Sequence, residues 1–194
     1  MTDTYNDAKD FTSRSGLDFT AKAIVVKDIY KREYRTLKVE SITTQKLIDH
    51  FNGEAIYCLP KFKKSPYMII DVDQRNQLKS VSTHDVITKL IQYLGLPFYI
   101  EYSYRSQGYH LYFEYTDYIN KSALVFLTEY FKNTYGYVIE PVIGKHPIKI
   151  PFCIDYKHAG TCNNKGDIKE ISSVAELNQL FKKHTRHSTP NILW

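Results

Sequence analysis

Apolar residues recur at two different spacings along the chain, and the changes of spacing predict the order of its elements. A spacing of three to four residues, typical of amphipathic helices, runs through segments 42–53, 82–96, 120–136 and 173–184. Alternation with a period of two, or a short continuous apolar run, predicts strands at 21–30, 54–59, 66–73, 97–104, 109–115, 137–142 and 147–152. Helices interspersed with hairpin-forming strands predict an α+β fold, in which helices pack on a mostly antiparallel sheet.

Several helix ends carry recognisable capping residues. Ser82 with Asp85, and Ser173 with Glu176, have the spacing of a capping box, and Gly95 follows the second helix. The stretch that ends at Gly166 shows no clear period and is expected to be irregular. The patterned segments therefore have defined starts and stops.

The beginning of the chain differs from the rest. Residues 1–18 are polar and lack an apolar period, so we expect a flexible N-terminal arm. Residues 19–194 have the length of one domain, and we expect a single catalytic domain there.

Composition and charge narrow the class of protein only slightly. The chain is 43% hydrophobic and 24% charged, with a net charge of +5, which is compatible with a nucleic-acid partner but does not require one. It has no apolar run long enough to span a membrane and no secretory signal at its start, so we expect a cytoplasmic protein without membrane contact. Cys153, His158 and Cys162 are close in sequence, but a structural zinc site needs a fourth ligand, so we do not expect zinc.

Three carboxylates stand near the ends of apolar strands. Asp71 and Asp73 are two residues apart, so in a strand both point to the same side. Glu140 follows the apolar residues 137–139 and precedes a proline, which is expected to stop strand pairing. Carboxylate oxygens are the ligands that Mg²⁺ or Mn²⁺ prefers, so a site for two ions is predicted if the two strands are neighbours. Ordinary solvated strand ends are the alternative.

A second group of residues is suited to binding a triphosphate. Ser106 offers a hydroxyl, Gly108 lets the backbone approach a ligand closely, and His110 begins a strand. Lys149 is flanked by apolar residues, so its cation needs an anion, and a phosphate would serve. For His110 and Lys149 the alternative is a purely structural role.

Together these segments resemble the archaeo-eukaryotic primase superfamily, whose members are primase–polymerases of archaea, plasmids, phages and mobile elements. The family signature is an hhhDhD strand, an S-x-G-x-H turn and strand, and an hhhD/E strand. Here these correspond to IIDVD (69–73), SQGYH (106–110) and YVIE (137–140). The likeness extends over about residues 42–162. The third carboxylate is Glu where Asp is commoner in the family, and no helicase or zinc module accompanies the motifs.

The resemblance implies an RRM-like catalytic core with a DNA primase or DNA polymerase activity. It implies that Asp71, Asp73 and Glu140 hold two Mg²⁺ or Mn²⁺ ions, and that Ser106, Gly108, His110 and Lys149 bind the incoming nucleotide. The expected partners are a single-stranded or primed DNA template, NTP or dNTP substrates, and a replicative helicase in the same or a separate chain. Two alternatives are a non-catalytic single-stranded-DNA-binding replication-initiator module and a metal-dependent nuclease.

Overall fold

A computed structural model describes residues 2–15, 17, 19–20, 23–27, 35–60, 67–103, 107–114, 121–142, 147–153 and 158–184. In these ranges the elements, in chain order, are α1 (Thr2–Arg14), β1 (Ala23–Lys27), β2 (Arg35–Val39), α2 (Thr44–Phe51), β3 (Ile56–Pro60), β4 (Tyr67–Val72), a short 3₁₀ turn (Gln74–Asn76), α3 (Thr83–Leu94), β5 (Tyr99–Ser103), β6 (Gly108–Glu114), α4 (Lys121–Tyr135), β7 (Glu140–Pro141), β8 (Pro147–Lys149), β9 (Ala159–Cys162), β10 (Ile168–Glu170) and α5 (Val174–His184). The expected α+β class is confirmed.

The chain divides into two compact units, although the sequence suggests one domain over 19–194. Unit 1 comprises Met1–Ser65, Ile143–Lys157 and Ser172–Thr185, and unit 2 comprises Pro66–Val142, His158–Ile171 and Arg186–Trp194. The chain passes between the units five times, so neither unit is one continuous stretch of sequence. That interleaving explains why no single linker or change of composition reveals the division.

Unit 1 contains a four-stranded antiparallel sheet in the order β2-β1-β3-β8. The buried imidazole of His50, in α2, joins the helix to neighbouring chain segments. Its Nδ1 accepts a hydrogen bond of 3.1 Å from the backbone N–H of Tyr57, so its Nε2–H donates the 2.7 Å bond to the carbonyl of Ile150. Both ring nitrogens are thereby satisfied, and His50 has a structural role.

Residues 2–14 form helix α1, and the expectation of a flexible arm over 1–18 is wrong for this part. Phe11 is fully buried and makes edge-to-face contacts with Phe19, Phe51 and Phe181, at centroid distances of 5.3–6.0 Å. Ala8 is also buried on the same side of the helix. The apolar stripe is narrow and most of the helix is polar, so the sequence shows no obvious period.

Unit 2 contains a six-stranded antiparallel sheet in the order β10-β9-β5-β6-β4-β7. Strand β4 is buried from Tyr67 to Ile70, as its continuous apolar run predicts, and α3 packs against it. The capping box of Ser82 and Asp85 forms at the start of α3, and Gly95 lies at its C-cap with φ of 89°. The expected β5–β6 hairpin is also present.

The stretch expected to be irregular contains a hairpin. Strands β9 and β10 pair around residues 163–167, where the side-chain oxygen of Asn163 accepts hydrogen bonds from the N–H groups of Lys165 and Asp167. Gly166 supplies the positive φ of 84° that the turn needs. Strand β9 is only four residues long and begins with Ala and Gly, which have little strand propensity, so the apolar pattern misses it.

None of the helices in the described ranges combines the length and apolar character that crossing a membrane requires.

Substitution of Phe11 tests the packing of α1. We expect Phe11→Ala to lower the free energy of unfolding by about 3–4 kcal/mol, because removal of a fully buried ring leaves a cavity. Tyr5→Ala on the same helix is the control; Tyr5 is 44% exposed, and a change within about 0.5 kcal/mol is expected. Chemical denaturation measures both variants. A Phe11→Ala protein as stable as the wild type would show that α1 is a loosely attached arm.

Candidate active site on the sheet of unit 2

Four ionisable residues lie side by side across four strands of the unit 2 sheet. In the antiparallel register Glu140 of β7 is opposite Asp71 of β4, Asp71 is opposite His110 of β6, and His110 is opposite Glu101 of β5. Directly opposed residues project from the same face, so Glu140, Asp71, His110 and Glu101 form one line, here called the polar row. The adjacency of β4 and β7, on which the metal hypothesis depends, is therefore present.

Asp71 lies at the centre of an unfavourable electrostatic environment. Burial is the main cause that raises the pKa of its carboxyl, and Glu140 and Asp73 raise it further, while His110 and Arg75 act in the opposite direction. Its Oδ1 is buried and accepts no hydrogen bond from the described residues. The ring nitrogen Nε2 of His110 lies 3.8 Å from that oxygen, beyond hydrogen-bond distance. The fold therefore leaves this carboxylate short of compensating positive charge.

Asp73 has the opposite character, because Arg75 neutralises it. Its Oδ1 accepts hydrogen bonds from the Arg75 backbone N–H at 2.8 Å and from Nε at 3.2 Å, and its Oδ2 pairs with Nη2 at 2.8 Å. Burial alone would raise the pKa of Asp73, but these hydrogen bonds and the guanidinium charge outweigh burial and lower it. Asp73 also caps the 3₁₀ turn that follows β4. The two aspartates therefore differ in their partners: Asp73 has the guanidinium of Arg75, whereas Asp71 Oδ1 accepts no hydrogen bond from the described residues.

Glu140 begins a strand, whereas the sequence analysis placed it at the end of one. Strand β7 is only two residues long, and pairing continues past the proline, since the Val142 N–H donates to the Ile69 carbonyl at 2.9 Å. The prediction that Pro141 stops the pairing is wrong: β7 is an edge strand, where a residue without an N–H is tolerated. Glu140 is exposed, and its Oε1 accepts a 2.7 Å hydrogen bond from Asn76.

The segment before Glu140 is held by a side chain that the sequence did not single out. The buried amide of Gln77 donates to the carbonyl of Asp73 at 3.2 Å and to that of Val138, and it accepts a 3.0 Å bond from the Val138 N–H. Gln77 thus links the chain after Asp73 to the chain before Glu140. This contact replaces the strand expected at 137–139.

Position 108 accepts only glycine, because the neighbouring strand β4 leaves no room for a side chain there. A Cβ at this position would lie 1.9 Å from the carbonyl oxygen of Val72 and 2.8 Å from the Cα of Asp73. The preceding Gln107 has a φ of 53°, which is uncommon for a residue other than glycine. The close approach seen at Gly108 is therefore to the chain's own backbone at the end of β4. Ser106 lies outside the described residues.

Glu101 is the member of the polar row that sequence reasoning missed. Its carboxylate is fully buried, and it accepts hydrogen bonds from the hydroxyls of Tyr99 at 2.9 Å and Tyr112 at 3.3 Å. His110 Nδ1 lies 3.2 Å from the same carboxylate. The available signal was an acidic residue inside the otherwise apolar and aromatic strand FYIEYSY.

The remaining candidate residues fall elsewhere in the chain. Lys149 is buried in β8 opposite Cys58, in unit 1, whereas the polar row belongs to unit 2. Cys153 belongs to unit 1, and His158 and Cys162 belong to unit 2. Nδ1 of His158 contacts Glu170, and burial raises the pKa of the Cys162 thiol to about 11.

A separate open pocket of about 400 Å³ contains no member of the polar row; its lining residues are His84, Asp85, Thr88, Lys89, Gln92, Tyr137, Asn164 and Lys165. Asp85 is occupied by the capping box, and the Thr88 hydroxyl donates to the carbonyl of Lys165. Two of its polar groups thus serve the fold of unit 2, so the polar row is the stronger candidate site.

Within the described ranges, no three His, Cys, Asp or Glu side chains are grouped so that they could hold one metal ion. Both oxygens of Asp73 accept hydrogen bonds from Arg75. Asp71 and Glu140 remain paired on adjacent strands with His110 beside them.

The different environments of the two aspartates predict opposite effects of neutralising them. A raised pKa means that ionised Asp71 destabilises the fold at neutral pH, and that this effect is relieved as the pH falls through the raised pKa. A lowered pKa means that ionised Asp73 stabilises the fold, and that its contribution is lost as the pH falls through the lowered pKa. At pH 7 in EDTA we expect Asp71→Asn to raise Tm by about 2–4 °C and Asp73→Asn to lower it by a similar amount.

Differential scanning calorimetry of both variants beside the wild type checks these signs. Glu129→Gln, which neutralises an exposed carboxylate on α4, is the control and should leave Tm unchanged. A lower Tm for Asp71→Asn than for the wild type would contradict the charge imbalance described at Asp71.

Gly108→Ala tests the close approach of β6 to β4. We expect a loss of about 2–3 kcal/mol in the free energy of unfolding, because the new Cβ would overlap backbone atoms of β4 and could not move aside alone. Gly136→Ala is the control: the added Cβ would meet only Leu78 Cδ1, at an ordinary contact distance of 3.9 Å, and its positive φ of 70° opposes it at about 1 kcal/mol. Equal losses for the two variants, measured by urea denaturation, would contradict the steric role of Gly108.

Comparison of the sequence with protein-family models gives no match, and comparison with curated proteins gives none that is significant. Functional inference for this chain therefore rests on the residues of the polar row and on their geometry.

Proposed function

We propose that the chain is a metal-dependent nucleotidyl transferase of the primase–polymerase type, built on an RRM-like core. The observation that carries the proposal is the alignment of Asp71 with Glu140 on adjacent strands, with a buried Asp71 oxygen that accepts no hydrogen bond from the described residues. Two carboxylates at one sheet edge are a favourable arrangement for divalent ions that also bind phosphate. The antiparallel sheet and its packed helices are compatible with such a core.

The donor set fits a divalent ion at Asp71 and Glu140. A cation there would supply the charge that Asp71 lacks, and both groups offer hard oxygen ligands. Asp73 would join them after releasing Arg75. The Arg75 side chain is 57% exposed but that of Asp73 only 10%, so a bound cation would have to replace the guanidinium as the positive charge beside Asp73. Asp71 stands between Asp73 and Glu140 and is therefore the carboxylate suited to contact two ions.

Bound Mg²⁺ or Mn²⁺ would activate a 3′-hydroxyl and offset the negative charge on the reacting phosphate. The chain's own residues would hold the substrates in line for that reaction. In the proposal, as the resemblance implies, Ser106, Gly108 and His110 bind the incoming NTP or dNTP. The template would be single-stranded or primed DNA, with a replicative helicase supplied by the same or another chain.

One observation favours a competing function, a non-catalytic single-stranded-DNA-binding module. Arg75 occupies both oxygens of Asp73, which is how a fold would neutralise a carboxylate that binds no metal. In such a module the aspartates would have no part in function. The two functions are therefore separated by whether Asp71 is needed for strand extension or is irrelevant to it.

Strand extension by the full chain tests the proposal. A labelled primer on a DNA template, and the template alone, are incubated with dNTPs or NTPs and with Mg²⁺ or Mn²⁺. We expect extension by the wild type and a fall to background with Asp71→Asn or Glu140→Gln, because each removes a proposed metal ligand. Glu129→Gln, with an exposed carboxylate on α4, is the matched control and should retain full extension.

Three results would overturn the proposal in different ways. Extension by Asp71→Asn at the wild-type rate would remove the catalytic role of the polar row. Absence of extension in either metal, with unchanged single-strand binding by Asp71→Asn, would identify the binding module. Metal-dependent shortening of the primer, lost in Asp71→Asn, would identify a nuclease.

A further inference from the structure

Glu101 is a fully buried carboxylate, and its hydrogen-bond partners determine the state of His110. A charged group inside a protein is tolerated only when it is well hydrogen-bonded. Here the hydroxyls of Tyr99 and Tyr112 donate to Glu101, and His110 Nδ1 lies 3.2 Å from Oε1. An ionised carboxylate only accepts hydrogen bonds, so with Glu101 ionised the proton of this contact lies on Nδ1 of His110.

The other ring nitrogen of His110 then faces Asp71. With the proton on Nδ1, neutral His110 presents the lone pair of Nε2 towards Asp71 Oδ1, 3.8 Å away. That separation is too long for a hydrogen bond, and the described residues supply no other hydrogen-bond donor to Oδ1, which is buried. Two atoms that carry lone pairs thus face each other, and none of the described residues places a proton donor between them.

We propose that one divalent ion binds between Asp71 Oδ1 and His110 Nε2, with Glu101 as the residue that positions the imidazole. Two atoms bonded to one ion at about 2.1 Å each can be at most about 4.2 Å apart, so a separation of 3.8 Å is within reach. Histidines that bind metals commonly donate their other ring N–H to a carboxylate, which is the role of Glu101 here. The inference rests on the metal-binding part of the proposed function and is independent of nucleotidyl transfer.

This assignment changes the role of His110 from a phosphate contact to a metal ligand, and the metal preference of the site follows from it. Imidazole nitrogen favours ions such as Mn²⁺ over Mg²⁺, which prefers oxygen. A site that uses His110 therefore binds Mn²⁺ more tightly than Mg²⁺ by a larger factor than one built only from Asp71 and Glu140. A phosphate contact predicts instead that His110 has no influence on metal binding when nucleotide is absent.

The experiment measures Mn²⁺ binding to the full chain without nucleotide or DNA. Continuous-wave electron paramagnetic resonance gives the affinity, with Mg²⁺ as competitor, and pulsed measurements on ¹⁵N-histidine-labelled protein detect a directly bound nitrogen. We expect nitrogen coupling in the wild type, its loss in His110→Gln, and a fall of at least tenfold in Mn²⁺ affinity, with a smaller ratio of Mn²⁺ to Mg²⁺ affinity. His84→Gln, an exposed histidine in unit 2, is the control and should leave coupling and affinity unchanged.

Glu101→Gln tests the positioning role separately. Its amide can donate to Nδ1 of His110, which would place the ring proton on Nε2 and block the ion. We expect Mn²⁺ affinity to fall about 10–100-fold, the usual effect of losing such a partner. Circular dichroism and thermal melting in EDTA establish whether this variant folds, and His110→Gln tests the metal ligand whether or not it does.

The outcomes separate this inference from the proposed function. Mn²⁺ bound by the wild type without nitrogen coupling, or with equal affinity by His110→Gln, would overturn the inference even if strand extension occurs. An imidazolium that bridges the two carboxylates would give that result. Nitrogen coupling in a protein that extends no strand would support the inference and overturn nucleotidyl transfer. Failure of the wild type to bind Mn²⁺ would overturn both metal assignments.

Discussion

The antiparallel register of β7, β4, β6 and β5 is the constraint on which the candidate site depends. Opposed residues share a face, so this register alone brings Glu140, Asp71, His110 and Glu101 into one line. A slip of one residue in any of these strands would move its member to the other face. The backbone of Gly108 also lies so close to Val72 and Asp73, at the end of β4, that a residue with a side chain would not fit at this position of the register. The register is therefore fixed by backbone contact beside the site as well as by the apolar pattern.

The acidic residues of this region differ in how well neighbouring groups compensate their negative charge. Glu101 is inside the sheet with two tyrosine hydroxyls and an imidazole around it, and Asp73 has the guanidinium of Arg75. Asp71 has no such compensation: burial and neighbouring carboxylates raise its pKa, and its buried Oδ1 accepts no hydrogen bond from the described residues. A carboxylate that is left unsatisfied beside others that are well satisfied marks a position where stability is sacrificed, and such positions concentrate at functional sites.

The sequence predicts the parts of this structure that local patterns determine. Strong signals identified the capping box of α3, the buried strand β4 and the β5–β6 hairpin, because each is encoded by neighbouring residues. Helix α1 was missed because its buried stripe is narrow, and β9 and β10 because Asn163 and Gly166 define a turn between strands of weak propensity. The roles of Arg75 and Glu101 depend on side-chain direction and on pairing between strands, which spacing along the chain does not reveal. The same limit explains why the two interleaved units were not foreseen.

The arrangement around Asp73 and Asp71 bears on how a cation could be bound and released. Arg75 is two residues from Asp73 in sequence and neutralises this buried carboxylate, so a metal ion that used Asp73 as a ligand would have to replace the guanidinium charge. Asp71 is different. Its carboxylate loses hydrating water when the protein folds, before any ligand is present, and this burial raises its pKa. In the proposed metal site, a cation at Asp71 would recover this unfavourable energy, so its affinity would depend chiefly on Asp71. The proposal therefore assigns different parts to the two aspartates: Asp71 would supply most of the affinity, and Asp73 would contribute only where a cation replaces Arg75.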